Sequence, residues 1–144
     1  MPELDKGSKD RLSRAHPLLQ KLFNEVAKQT QIIILDSQRG RAAQELAYRQ
    51  GRTKVHFGKS AHNWSPAIAL DVCPAPINWK NTKPFITLGQ KFVLPTARNL
   101  GISIRWGADW NMNSDLSDES FVDMPHYELH PWRTWAKQSK LFEG

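Results

Sequence analysis

A carboxylate in the middle of an apolar run constrains this chain more than any other feature: Ala67-Ile68-Ala69-Leu70-Asp71-Val72-Cys73. The run reads as a core strand, where side chains alternate between faces. Ala69 and Asp71 therefore share one face, and Leu70 and Val72 the other. A charge in such a place is costly unless it is paired or bound to a metal. Two histidines are candidate partners. His62 lies nine residues upstream, in Ser60-Ala61-His62-Asn63-Trp64-Ser65-Pro66. His126 lies more than fifty residues downstream, in Asp123-Met124-Pro125-His126-Tyr127-Glu128.

The remaining segments supply a small sheet and its cover. Leu12, Leu18, Leu19, Leu22, Phe23 and Val26 recur at helical spacing over residues 8–29, with Pro17 predicting a break, a second helix starting there and His16 just outside it. Gln31-Ile32-Ile33-Ile34-Leu35 reads as a buried strand that ends in the polar turn Asp36-Ser37-Gln38-Arg39-Gly40. Residues 41–50 predict a short helix stopped by Gly51. Pro74, Pro76 and Asn78 mark a loop edging a pocket through Trp79. Helical spacing returns over 85–100, with Pro95 kinking or shortening the helix and Gly101 ending it. A strand over 102–106, a polar loop through Glu119, a last strand over 125–130 and a closing helix over 131–140 complete the chain. Helices first, then strands separated by loops, predict an α+β domain with a small, mainly antiparallel sheet flanked by helices. No Gly-rich phosphate loop argues otherwise.

The 144 residues suit one domain, 1–144, with no second module. Cys73 is the sole cysteine, which excludes an intrachain disulfide and a cysteine metal cage. Any zinc site must use His, Asp or Glu. A catalytic zinc takes three such ligands and leaves the fourth position to water, whose pKa falls from about 15.7 to about 7. The best three here are His62, Asp71 and His126. From the residues alone other readings stay open: His62 as a loop histidine, Asp71 as a turn cap or arginine partner, His126 as a strand-edge residue.

Ser60-x-His62, Ala69-x-Asp71 and Asp123-x-x-His126-x-Glu128 together resemble the signature of the zinc peptidases that cleave peptidoglycan stem peptides. That family includes D-Ala-D-Ala carboxypeptidases, vancomycin-resistance dipeptidases and phage L-alanyl-D-glutamate endopeptidases. Gly107-Ala108-Asp109-Trp110-Asn111, and Arg39 followed by Gln44 at a helix start, are most similar to the phage endolysin branch. The likeness runs from the helix before Pro17 to Leu129. It implies one zinc ion on His62, Asp71 and His126, with Asp123 as general base. It also implies Arg39 as oxyanion stabiliser or carboxylate grip, Ser60 bonded to substrate or loop backbone, and Glu128 supporting a ligand imidazole. The chain departs from the family twice. The spacing from His62 to Asp71 is longer than usual, with Ser65-Pro66 where a glycine is expected, and Asp123 stands where many relatives carry Glu.

The resemblance makes peptidoglycan the partner and L-Ala-D-Glu hydrolysis, leading to host lysis, the function. A D,D-carboxypeptidase with the same zinc is the rival enzyme. The net charge of +6 raises a second rival, a basic non-enzymatic nucleic-acid binder. Its basic residues are spread along the chain and it leaves Asp71 and Asp123 unexplained, so no nucleic-acid partner is expected. Residues 1–6 lack a secretory apolar core and no apolar run reaches membrane-span length. These features predict a protein made in the cytoplasm without stable membrane insertion; the resemblance implies release through a separate membrane-permeabilising protein, and a monomer is expected. Asp109, Asn111, Asn113 and Asp115 have the alternating oxygen spacing of a calcium loop, a candidate site for regulatory Ca2+, but Ser114 and Ser120 stand where an EF-hand has Gly and Glu.

Overall fold

A computed structural model describes residues 3–144; Met1 and Pro2, at the head of the segment read for a signal, lie outside the described residues. Helix α1 (Lys6–Ser13) starts at Asp5, whose Oδ1 accepts the Ser8 amide at 2.7 Å. Helix α2 (Pro17–Gln29) begins with proline, whose missing N–H costs nothing at a first turn. Strand β1 (Ile32–Asp36) leads to α3 (Arg41–Arg49), after which Gly51 takes a left-handed φ of 74°. A 3-10 turn over Ala61–Asn63 follows, then the two-residue β2 (Trp64–Ser65) and β3 (Ala69–Pro74).

The apolar stretch predicted as one helix is α4 (Lys83–Thr87), a wide π turn (Leu88–Val93) and α5 (Leu94–Leu100). Pro95 supplies the physical reason: its ring clashes with a carbonyl four residues back, and the wide turn just before it shifts the hydrogen-bond register. Strand β4 (Ile104–Trp106), β5 (His126–Leu129), α6 (Trp132–Ala136) and β6 (Lys140–Leu141) complete the fold. The stretch at 125–130 is therefore not the last strand, because β6 returns to pair with β2 as a separate two-stranded ribbon.

The main sheet has the order β1-β3-β5-β4 and every pairing is antiparallel. The α+β expectation holds. One face carries Ile34, Leu70, Val72, Tyr127, Leu129, Ile104 and Trp106, all buried, and packs on Leu19, Leu22, Phe23 and Val26 of α2. Phe23 meets Tyr127 edge-to-face at 5.6 Å, and a Cβ on Gly89 of the π turn would meet the Trp106 ring at 2.5 Å. Each fully buried side chain of this kind contributes about 1.5–3 kcal/mol. The edge strand β1 is covered by α1, whose Ser8 Oγ accepts the Ile34 amide and whose Arg11 Nε donates to the Ile34 carbonyl. Among the described residues, no helix is long and apolar enough to cross a membrane.

Helix α2 has an unusual cap. His16 Nδ1 accepts the Leu18 amide at 3.0 Å, which requires a neutral ring. Burial lowers the His16 pKa from its ordinary value, against an opposing hydrogen bond to Gln138. Because the folded-state value is the lower one, the unfolded chain binds the proton more readily. The cap's contribution is full above about pH 6.5 and is lost as pH falls towards the folded-state value. His16→Ala should cost about 1 kcal/mol and lower Tm by about 2–4 °C at pH 8. Asn at this position should restore most of it and remove the acid sensitivity, as thermal melts at pH 5 and 8 would reveal.

Candidate metal centre

The second face of the sheet carries the polar groups in rows. Asp71 is the direct cross-strand partner of His126, and Ala69 and Arg105 both face Glu128. On the other side of Asp71 the β1 register shifts between Ile34 and Asp36, a bulge that sets Asp36 opposite Asp71. Two carboxylates face to face repel, and Arg39 lies between them. Its Nη2 donates to Asp36 Oδ2 at 3.1 Å and to Asp71 Oδ2 at 3.2 Å. Nε also reaches Asp36, and Nη1 reaches Gln44 Oε1 at 3.3 Å. Four of the five guanidinium N–H groups are thereby engaged.

His62 arrives from the 3-10 turn. Ser60 Oγ accepts the His62 amide at 3.2 Å, and Asn63 Oδ1 accepts the Ser60 and Gly58 amides, a reciprocal cap that holds the turn. The long spacing to Asp71 is absorbed by an excursion through β2. Ala67 exchanges backbone bonds with Arg14 and His16 at the α1–α2 junction, and the Ile68 amide then returns to the Ala61 carbonyl.

The three candidate ligand atoms converge. His62 Nε2 lies 3.2 Å from both Asp71 Oδ1 and His126 Nδ1, and His126 Nδ1 lies 3.5 Å from Asp71 Oδ1. The opposite ring nitrogens are committed: His62 Nδ1–H donates to the Ser37 carbonyl at 2.8 Å and His126 Nε2–H to Glu128 Oε1 at 2.7 Å. A carbonyl and a carboxylate can only accept, so both neutral rings turn lone pairs inward, onto a third acceptor. Three acceptors without a donor call for a cation. Ligands about 2.0–2.2 Å from one tetrahedral ion lie about 3.3–3.6 Å apart, and the observed separations match. His62, Asp71 and His126 can therefore hold a metal ion.

With no cation between the three groups, a proton on His126 takes its place: burial works against the charged ring, but the bonds and charges of Asp71 and Glu128 outweigh it and push the ring up to about 10. Burial would raise Asp71, yet the two histidines hold it well below the usual carboxylate range. The cluster draws positive charge, as a metal site should. Glu128 is steadied by Arg105, whose Nη2 lies 2.8 Å from its Oε2. Glu128→Gln should weaken metal binding by about 10–100-fold, which competition with a chromogenic chelator would measure; unchanged affinity would refute a supporting role.

Asp123 stands just before β5, where its amide donates to the Gly107 carbonyl and its carbonyl accepts the His126 amide. A Cβ on Gly107 would overlap the Asp123 carbonyl oxygen and crowd His126 at 3.0 Å, so only glycine fits there. Burial, and then the charge of Asp71, raises the Asp123 carboxyl above its ordinary value. Sequence reading missed Asp36, Ser37 and Asn63 as parts of the site, and took Gln44 only as a likeness. Polar residues at the end of the β1 run were the one available signal. Of the other histidines, His56 pairs with Glu45 at 2.9 Å, and the His130 amide, past the end of β5, donates to the Ser103 carbonyl.

In the 109–115 loop several of the side-chain oxygens accept local donors. Asp109 accepts the Asn113 and Ser114 amides, Asn113 Oδ1 the Asp115 amide, and Asp115 the Ser117 amide.

The model of the phage L-alanyl-D-glutamate peptidase family matches residues 2–130. The chain belongs to that family. The peptidase also resembles the crystal structure of the Serratia marcescens L-Ala D-Glu endopeptidase ChiX, with a TM-score of 0.71 and 21% identity over 93% of this chain and 94% of that one. At that identity the likeness speaks for the fold. No curated protein sequence matches the chain.

Proposed function

We propose that this L-alanyl-D-glutamate peptidase is a single-domain zinc enzyme that hydrolyses the L-Ala-D-Glu bond of peptidoglycan stem peptides. The inward convergence of His62 Nε2, Asp71 Oδ1 and His126 Nδ1 carries the reading. His62, Asp71 and His126 would hold the zinc, which would supply Lewis acidity and make a nearby water easier to deprotonate.

The chain's own residues do the rest. Asp123, whose carboxyl is raised by burial and by Asp71, takes the proton of the attacking water and returns it to the departing amine. Arg39 holds Asp71 by Oδ2, which leaves Oδ1 for the metal, and its one unengaged Nη1 hydrogen remains for a developing oxyanion. Glu128 fixes the His126 tautomer, and Ser60 holds the turn that presents His62. The enzyme acts as a monomer on the host wall, reached through a lesion made by a separate protein, and causes lysis. A regulatory Ca2+ in the 109–115 loop is the secondary reading, carried by its alternating oxygen spacing alone.

Digestion of purified peptidoglycan, followed by mass spectrometry, tests the activity. New D-Glu amino termini that vanish with a chelator and return with zinc are expected. Loss of a single terminal alanine would instead support the D,D-carboxypeptidase, and chelator-insensitive cleavage would overturn the zinc reading. DNA retention without peptide release would favour the nucleic-acid binder.

A further inference from the structure

Two half-grooves flank the metal centre and share Arg39, Phe121 and Asp123. One has a volume of about 670 Å³ and is walled by Leu35, Trp79, Phe85, Met124 and Pro125, with Arg52 as its one cation besides the shared Arg39. Trp79 is 62% exposed and stacks on Phe85 at 5.5 Å, an uncovered apolar platform. The other, of about 430 Å³, carries Lys54, Lys59, Arg105 and Arg133.

The charges differ in what they are free to do. Arg105 is held by Glu128, and Arg39 by Asp36 and Asp71. Lys54, Lys59 and Arg133 make no ion pair among the described residues, while Lys54 rests over the Phe121 ring at 5.2 Å and Arg133 over Trp132 at 4.6 Å. Aromatic supports of this kind hold cations in place without neutralising them. Glu119, the remaining acid of this half, binds the Trp110 amide through Oε1. Three cations without an ion pair thus line this half, against Arg52 alone in the other.

The substrate is equally lopsided. A glutamyl residue whose amine lies in the scissile bond, and which continues through one carboxyl, keeps the other carboxylate free on the leaving side. The alanyl residue across the bond carries no charge. Resting on the peptidase reading above, we propose that the groove is polarised. The D-Glu side lies along Lys54, Lys59 and Arg133, which bind its free carboxylate, and the L-Ala side lies in the apolar half beside Trp79 and Phe85.

Two synthetic stem peptides that differ only at that carboxylate, free in one and a carboxamide in the other, test this. The wild type should cleave the acid with about tenfold higher kcat/KM, the yield of a few exposed charge contacts, and added salt should shrink the preference. Lys54→Gln/Lys59→Gln/Arg133→Gln should cleave both peptides with equal efficiency, while Arg52→Gln should keep the preference. A preference that survives the triple variant, disappears in Arg52→Gln, or is absent from the wild type would overturn the polarity. Cleavage of neither peptide by the wild type is a separate outcome, which refutes the L-Ala-D-Glu reading itself.

Discussion

Asp71→Ala is expected to leave a folded protein that no longer retains zinc and cleaves peptidoglycan at least about 10³-fold more slowly. The magnitude follows from the several kcal/mol of transition-state stabilisation that a bound metal supplies. Asp71 is the anionic member of the three-atom cluster, and without it two imidazole lone pairs face each other at 3.2 Å. The fold should tolerate the change, since Arg39 keeps Asp36 as a partner and the apolar face of β3 is untouched. A second readout separates metal loss from misfolding. Zinc at about 1,000 times its Kd should stabilise the wild type by about 4 kcal/mol, a Tm rise of roughly ten degrees, and should not raise the Tm of the variant. Stoichiometric zinc in Asp71→Ala by elemental analysis would sink the ligand assignment.

Asp123→Asn should give the opposite signature: zinc content as in the wild type, with kcat/KM lower by about 10²–10⁴-fold. The backbone bonds that pin Asp123 to Gly107 and His126 do not involve its side chain, so the amide should leave the β5 entry in place. Coincident loss of metal and activity would make Asp123 a structural residue instead. Together the two variants distinguish the residue that holds the ion from the one that moves the proton.

Much of this was legible because the relevant patterns are short and local. The apolar runs of β1 and β3, the break at Pro17 and the stops at Gly51 and Gly101 follow from periodicity and backbone chemistry. Beside Pro95 a wide turn replaced the kink or shortening expected there, because a proline reports a register problem without saying how the backbone will solve it. Strand β6 went unseen because Lys140 and Leu141 carry no alternation, and only the approach of Trp64 and Ser65 makes them a strand.

At the site, the sequence by itself determined that Asp71 sits on the face of a core strand opposite Leu70 and Val72, and that its charge needed a partner or a metal. Periodicity and desolvation are properties of a few adjacent residues. Only the tertiary structure decided which atoms meet it: Oδ1 towards His62 and His126, Oδ2 towards Arg39, with Asp36 brought opposite by a one-residue bulge. Register across strands distant in sequence is set by packing of the whole sheet, and no local pattern encodes it. The long loop from His62 to Asp71 shows the same division, since its two ends reach one cluster only because Ala67 is tied to the α1–α2 junction.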